Sequence, residues 1–358
     1  MINRIFIERF RNIEHLDISP ADFNIFLGRN AQGKTSILEA IQFAALGVSR
    51  ASKDTDLIRW GDSSAVIRLD FERAGVSHVL AVELFAERPR RILLDGALVT
   101  RRDVWGRLPV VTFSPDDLFL FKAPPAARRR FLDLLISQLS PVYFSDFTSF
   151  RRILAQRNSL LKDIRTGTAN PASLSLWDEH FALSAAKILP ARLRTVARLD
   201  DFAKGVQSFI SGEFLALSYL IHGVHDSDTP ASDPAHWYRS RLARISFLDI
   251  QRGSTGIGPH LDDIAFSLNS RSLRSFASQG QIRTAALALA LSQLLLLHSD
   301  SSAPVLLLDD VFSELDSFRA HRLFAFLSHR RIQSFLTSAA DSSPVPARIF
   351  LIHGGAVS

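Results

Sequence analysis

"FNIFLGRNAQGKTSILEAIQFAALG", Phe23 to Gly47, places three kinds of segment in succession. FNIFLG is a short apolar run closed by Gly28, the pattern of a buried strand. KTSILEAIQFAALG has helical periodicity and stops at Gly47, a good C-terminal cap. Between them GRNAQGKTS fits G-x-x-x-x-G-K-[ST], with Gly28, Gly33, Lys34 and Thr35 in the fixed places. Glycines there let backbone N–H groups turn inward around phosphates. The lysine reaches the β- and γ-phosphates, and the hydroxyl ligates magnesium. The nucleotide cradle is therefore read as Gly28, Arg29, Asn30, Ala31, Gln32, Gly33, Lys34, Thr35 and Ser36, with ATP and Mg2+ as its ligands.

A phosphate loop of this type needs a carboxylate at the end of a neighbouring strand. PVLLLDDV is a solid apolar run ending in Asp309 and Asp310. Asp309 would hold Mg2+ through water, and Asp310 sits where a general base polarises the attacking water. Glu314, in SELD, competes for the role of base. The position directly after the strand favours Asp310, and the sequence leaves both open.

A second glycine motif lies far downstream in SFASQGQIRTAALALALSQLLLL, Ser275 to Leu297. Ser278, Gln279, Gly280 and Gln281 precede a helix that is apolar nearly all round and therefore buried. A serine, a free backbone and a helix N-terminus make a γ-phosphate receptor, although a capped core helix accounts for the same residues. Two phosphate receptors in one chain are reconciled if they serve one nucleotide held between two copies.

Outward from these motifs, INRIFIERF reads as a strand followed by a turn at Arg11 and Asn12. Val66 to Val99 reads as an antiparallel meander. Ala126 to about Ala243 has apolar residues at helical spacing with basic residues between them. After Ile250 the α/β pattern returns, with IQSFLTS as a further strand. The expected fold is an α/β core assembled from both ends of the chain, with an antiparallel β portion and an inserted helical lobe. Its segments are 1–125, 126–245 and 246–358.

The composition, 47% hydrophobic and 22% charged over 358 residues, is that of a folded globular protein. With no cysteine, disulfides, thiolate zinc sites and thiol nucleophiles are excluded, and a reducing compartment is suited. The N-terminal segment lacks a signal-peptide core, and the longest apolar run, Ala285 to Leu297, is shorter than the roughly 18 residues that span a bilayer. The expectation is a cytoplasmic protein with no membrane partner. A net charge of +6 and a pI near 10 fit a polyanionic partner such as nucleic acid. Arg128 to Arg130 and Arg151 with Arg152 are either phosphate contacts or solvated helix faces. His222, His225, Asp226 and Asp228 read as a solvated loop, and His260 as structural.

The pattern of the second motif is similar to the signature of ABC-type ATPases, in which the signature of one subunit closes on the nucleotide in the phosphate loop of the other. Within that superfamily the chain resembles, over almost its whole length, the RecF family of bacterial DNA recombination and repair proteins. The residues that carry this are FRN (Phe10 to Asn12), GRNAQGKTSILEAI, FSPDDLFLFKAPPAARRRFLD (Phe113 to Asp133), QRNSLLK, WDEHFA, GPHLDD (Gly258 to Asp263), ASQGQIRTAALALALSQ and LLLDDVFSELD. The resemblance implies an ABC-type ATPase head and a weak, DNA-dependent ATPase. It implies an ATP-dependent homodimer around double-stranded DNA at gaps and single-strand/duplex junctions, released by hydrolysis. It also implies work with RecO and RecR in loading RecA. Leu261 stands where the family usually has arginine, and Ile282 where a second glutamine is common. Thr337 and Ser338 replace the switch histidine of ABC transporters, and threonine there is usual for this family.

Overall fold

The computed structural model describes residues 1–49, 51–224, 233–299, 303–310, 317–339 and 346–357. The chain divides into two compact units. One comprises Met1–Phe119, Val206–Gly212 and Gln279–Ser358, and the other Leu120–Gly205 and Glu213–Ser278.

The first unit contains two six-stranded sheets. Four parallel strands, Val110–Phe113, Val305–Leu308, Ser334–Ser338 and Phe23–Leu27, lie side by side in that order. Arg348–His353 continues the sheet in parallel, and Ala356–Val357 closes the edge as a hairpin. Every residue of Val305–Leu308 and of Ser334–Ser338 is buried, as central parallel strands covered on both faces require. Phe26 stacks on Phe335 across this sheet at 6.3 Å between ring centroids.

The second sheet is antiparallel, in the order Ile13–Ile18, Ile2–Phe10, Ser64–Arg73, Val76–Phe85, Arg91–Leu94 and Ala97–Val99. Its central strand Ser64–Arg73 alternates inward apolar and outward residues, so one face packs and the other is more open to water. Buried amides tie the two sheets. Gln333 accepts from the Ile2 N–H at 2.7 Å and donates to the Ile2 carbonyl at 2.8 Å. Asn24, also buried, bonds both backbone groups of Ala21 at 2.7 Å. An α/β core drawn from both ends of the chain is what the sequence predicts.

Helix Gln279–Leu297 is 19 residues long and apolar, and most of it is buried inside the protein. It passes the length and composition test for a membrane span. Its burial identifies it as a core helix, against the run of 13 residues read from the sequence.

The second unit is the helical lobe, with helices Pro125–Leu139, Pro141–Arg165 and Pro234–Arg252 and the larger part of Leu174–Ser211. Proline occupies the first turn of the first three, where its missing N–H costs nothing. The lobe also has its own three-stranded sheet, in which Asp263–Leu268 lies between Leu215–Leu220 and Arg271–Ser272. That pairing keeps residues 246–278 with the lobe, so the division falls at Gln279 where the sequence places it at 246.

Two buried guanidinium groups organise the lobe interior. Arg192 makes a bidentate pair with Asp133 at 2.9 and 3.0 Å and donates to the Tyr143 and Tyr219 hydroxyls and the Pro259 carbonyl. Arg157 bonds Asp178 at 2.8 Å, Asp249 at 2.9 Å and the Thr255 hydroxyl at 2.7 Å. His260 is structural, with a ring nitrogen 3.1 Å from the Thr255 carbonyl, and burial lowers its pKa to about 4. Two arginines of the first run, Arg128 and Arg129, are tied into the lobe and do not form a solvated face. Arg128 is buried in a bidentate pair with Asp263 at 2.7 Å, and Arg129 donates to the Asp262 carbonyl. Arg130, Arg151 and Arg152 are exposed.

Candidate functional site

Helix Lys34–Leu46 starts where the strand Phe23–Leu27 ends, and the loop between them is shaped by left-handed backbone. Ala31 has φ 63° and Gly33 φ 105°. At Gly33 an added Cβ would press on the Asn12 amide at 3.1 Å. At the far end Gly47, φ 61°, donates its N–H to the Phe43 carbonyl and stops the helix.

The loop bounds a cavity of about 420 Å³ lined by Asn12, Asn30 to Ser36, Pro115, Asp309, Asp310 and Thr337. The Lys34 ammonium folds onto the loop, donating to the Gly28 and Arg29 carbonyls. Burial pushes its pKa below the ordinary lysine value, and Asp310 and Asp309 pull it back up. A cation poised this way in a partly desolvated pocket interacts strongly with an entering polyanion.

Because Ser334–Ser338 lies between the phosphate-loop strand and Val305–Leu308, the carboxylates stand one strand away from the loop. The Thr35 hydroxyl donates to Asp309 Oδ1 at 2.9 Å, spanning that gap. Thr337, on the intervening strand and 1% exposed, donates to the same oxygen at 2.7 Å. Its Oγ1 also accepts the Asp310 N–H at 2.8 Å. Asp310 has φ 51°, a conformation that costs a non-glycine residue and that this bond helps to hold.

Two residues after the first strand brace the loop from the antiparallel sheet. Arg11 grips Glu39 of the phosphate-loop helix with two bonds of 2.9 Å. Asn12 Oδ1 accepts from the Ser36 hydroxyl at 2.8 Å. Asn12, Pro115 and Thr337 complete the lining. The sequence pattern of the loop gives no signal for them, since their place depends on strand register.

The structure brings Lys34, Thr35, Asp309 and Asp310 together. Gly28 and Arg29 contribute carbonyls to Lys34 from beneath. Gln279, Gly280 and Gln281 form the first residues of helix Gln279–Leu297, with Ser278 just before them. Ser278 to Gly280 are exposed, Cβ space at Gly280 is open, and none of the four lines the cavity. Glu314 lies outside the described residues, as do His225, Asp226 and Asp228. Among the described residues no cluster has the makings of a metal centre held by protein ligands alone.

The donor set fits a nucleotide with magnesium. A loop whose left-handed backbone turns amides inward suits phosphates, and the adjoining Thr35 hydroxyl and Asp309 carboxylate are hard oxygens of the kind Mg2+ takes alongside water and phosphate.

Residues 1–344 match the family described as the RecF/RecN/SMC N terminal domain. The chain is 36% identical over 370 residues to the DNA replication and repair protein RecF of Geobacillus thermodenitrificans, covering 100% of this chain and 99% of that one. It is 35% identical over 346 residues to RecF of Geotalea uraniireducens, covering 95% and 93%. A solved structure of the recombination mediator protein RecF with ATP, in the RecFOR pathway, superposes with a TM-score of 0.90 at 31% identity, covering 100% of this chain and 96% of that one. An Smc head bound to the C-terminal winged-helix domain of ScpA matches at TM-score 0.59 and 15% identity, covering 99% and 95%, which speaks to the fold alone.

Proposed function

The chain belongs to the RecF family of DNA replication and repair proteins, and on that premise we propose that it is an ATP-hydrolysing DNA clamp. ATP with Mg2+ binds at Gly28 to Ser36, Thr35 and Asp309 hold the metal side, and Asp310 activates the attacking water. Glu314 remains the competing base. The signature residues Ser278 to Gln281 of a second copy complete the site, so nucleotide binding and homodimerisation are one event. The dimer closes on duplex DNA at gaps and junctions in the cytoplasm. With RecO and RecR it assists loading of RecA, and hydrolysis releases it. The observation that carries this reading is the convergence of Lys34, Thr35, Asp309 and Asp310 on one cavity.

Charge supports the DNA partner. The helical lobe unit, counted along the sequence, has 20 Lys and Arg against 14 Asp and Glu, and so holds the whole net charge of +6. The first unit is neutral. A polyanion is thus drawn to the lobe and not to the catalytic unit.

Steady-state ATP hydrolysis should rise per molecule with protein concentration, and rise again with duplex DNA. A specific rate flat in both variables would mean that each phosphate loop works alone, and the clamp reading would lose its mechanism.

Thr337→Val keeps the volume and removes the hydroxyl that donates to the Asp309 carboxylate and accepts the Asp310 backbone N–H. It should lower kcat about tenfold, the worth of one lost positioning hydrogen bond. Thr337→Ser should restore most of it. Equal rates for the valine variant and the parent would show that Thr337 only fills space.

A further inference from the structure

The strands Arg348–His353 and Ala356–Val357 are joined by Gly354 and Gly355, with φ 57° and 83°. In a two-residue turn of this kind the turn N–H groups stay outside the hairpin ladder. Here both go to one residue of the phosphate loop. Gly354 N–H donates to Gln32 Oε1 at 2.6 Å, and Gly355 N–H donates to the Gln32 carbonyl at 2.9 Å.

The approach is backbone to backbone. A Cβ on Gly355 would run into the Asn12 carbonyl oxygen, and a Cβ on Gly28 would run into the Ile352 carbonyl oxygen. The hairpin therefore meets the loop at its first glycine and again at the residue before Gly33 and Lys34. Asn12 holds the same loop through Ser36. Gln32 presents its amide to the turn and, with its neighbours, lines the cavity.

We infer that the Gly354–Gly355 turn is a positioning element of the phosphate loop, gripping Gln32 from behind so that the loop is ordered before nucleotide arrives. This rests on the nucleotide reading above. A loop ordered beforehand saves the entropy of ordering it on binding, so the turn acts on affinity. Asp309 is held from the other side, by Thr35 and Thr337, so the turn should act on affinity more than on the chemical step.

Gln32→Met keeps a long unbranched side chain and loses the acceptor. Equilibrium binding of mant-ADP with Mg2+ to the full chain should weaken about fivefold, as one lost hydrogen bond implies. KM for ATP should rise by more than kcat falls, and the thermal midpoint should hold. Gly355→Ala should weaken binding at least as much. Gly75→Ala is the matched control, since Gly75 has φ 75° in another hairpin turn and open space around its Cβ. It should bind like the parent.

Gln32→Met binding within twofold of the parent would overturn the inference, as would equal losses in Gly75→Ala and Gly355→Ala. A parent chain that fails to bind mant-ADP would instead overturn the nucleotide reading itself.

Discussion

Asp310→Asn is expected to bind ATP and Mg2+ while hydrolysing it about 10²- to 10³-fold more slowly, within the range removed with a general base. The substitution keeps the size of the side chain and, because its backbone N–H still reaches Thr337, the turn after Val305–Leu308. It deletes the second carboxylate on the cavity wall, beside Asp309, whose Oδ1 accepts from both Thr35 and Thr337. Single-turnover hydrolysis beside mant-ADP binding separates chemistry from affinity. A fall of only a few-fold would move the role of base to Glu314. Loss of binding together with turnover would mean that Asp310 supports the metal and not the water.

The second large effect is on stability. Arg192→Leu should destabilise the helical lobe by about 3–5 kcal/mol, the usual result of removing one partner of a buried ion pair. The cost arises because Asp133 keeps its charge in the interior after losing its bidentate partner, with the Tyr143 hydroxyl 2.6 Å away as a neutral donor. The Tyr219 hydroxyl and the Pro259 carbonyl lose their donor at the same time. Removing both charges, in Arg192→Leu with Asp133→Leu, should recover a good part of the loss. Urea unfolding followed by tryptophan fluorescence reports on this, since Trp177 and Trp237 belong to the lobe and Trp60 and Trp105 to the other unit. A midpoint unchanged in the single variant would show that the pair contributes nothing net.

The local grammar of the head unit was readable without coordinates. The strand before Gly28, the helix stopped by Gly47, the meander from Val66 to Val99 and the buried strand before Asp309 all depend on short-range patterns of burial and capping. What escaped depends on register between distant strands. Thr337 reaches Asp309 because Ser334–Ser338 lies next to Val305–Leu308, and no spacing within either segment says so. Gln32 meets Gly354 across more than three hundred residues. Arg128 looked like part of a basic surface because its partner, Asp263, is also far away in sequence. The lobe's strands Leu215–Leu220 and Asp263–Leu268 do alternate, but a full helix, Pro234–Arg252, separates them and hides their pairing. Ser278 to Gln281 have a structural position at a helix start, while the role proposed for them needs a second chain.

The order of strands in the parallel sheet sets a timetable for synthesis. Phe23–Leu27 leaves the ribosome early, yet its two neighbours in the sheet are Ser334–Ser338 and Arg348–His353. At translation speeds of about 5–20 residues per second, the phosphate loop waits roughly 15–60 s for its flanking strands. The lobe's own segments, Leu120–Gly205 and Glu213–Ser278, are made in that interval. Nucleotide therefore becomes a ligand only once synthesis has nearly run its course. A chain cut short before Ser334 would carry the basic lobe without the strands that flank the phosphate loop, and on the proposed clamp reading it would hold DNA with nothing to time its release.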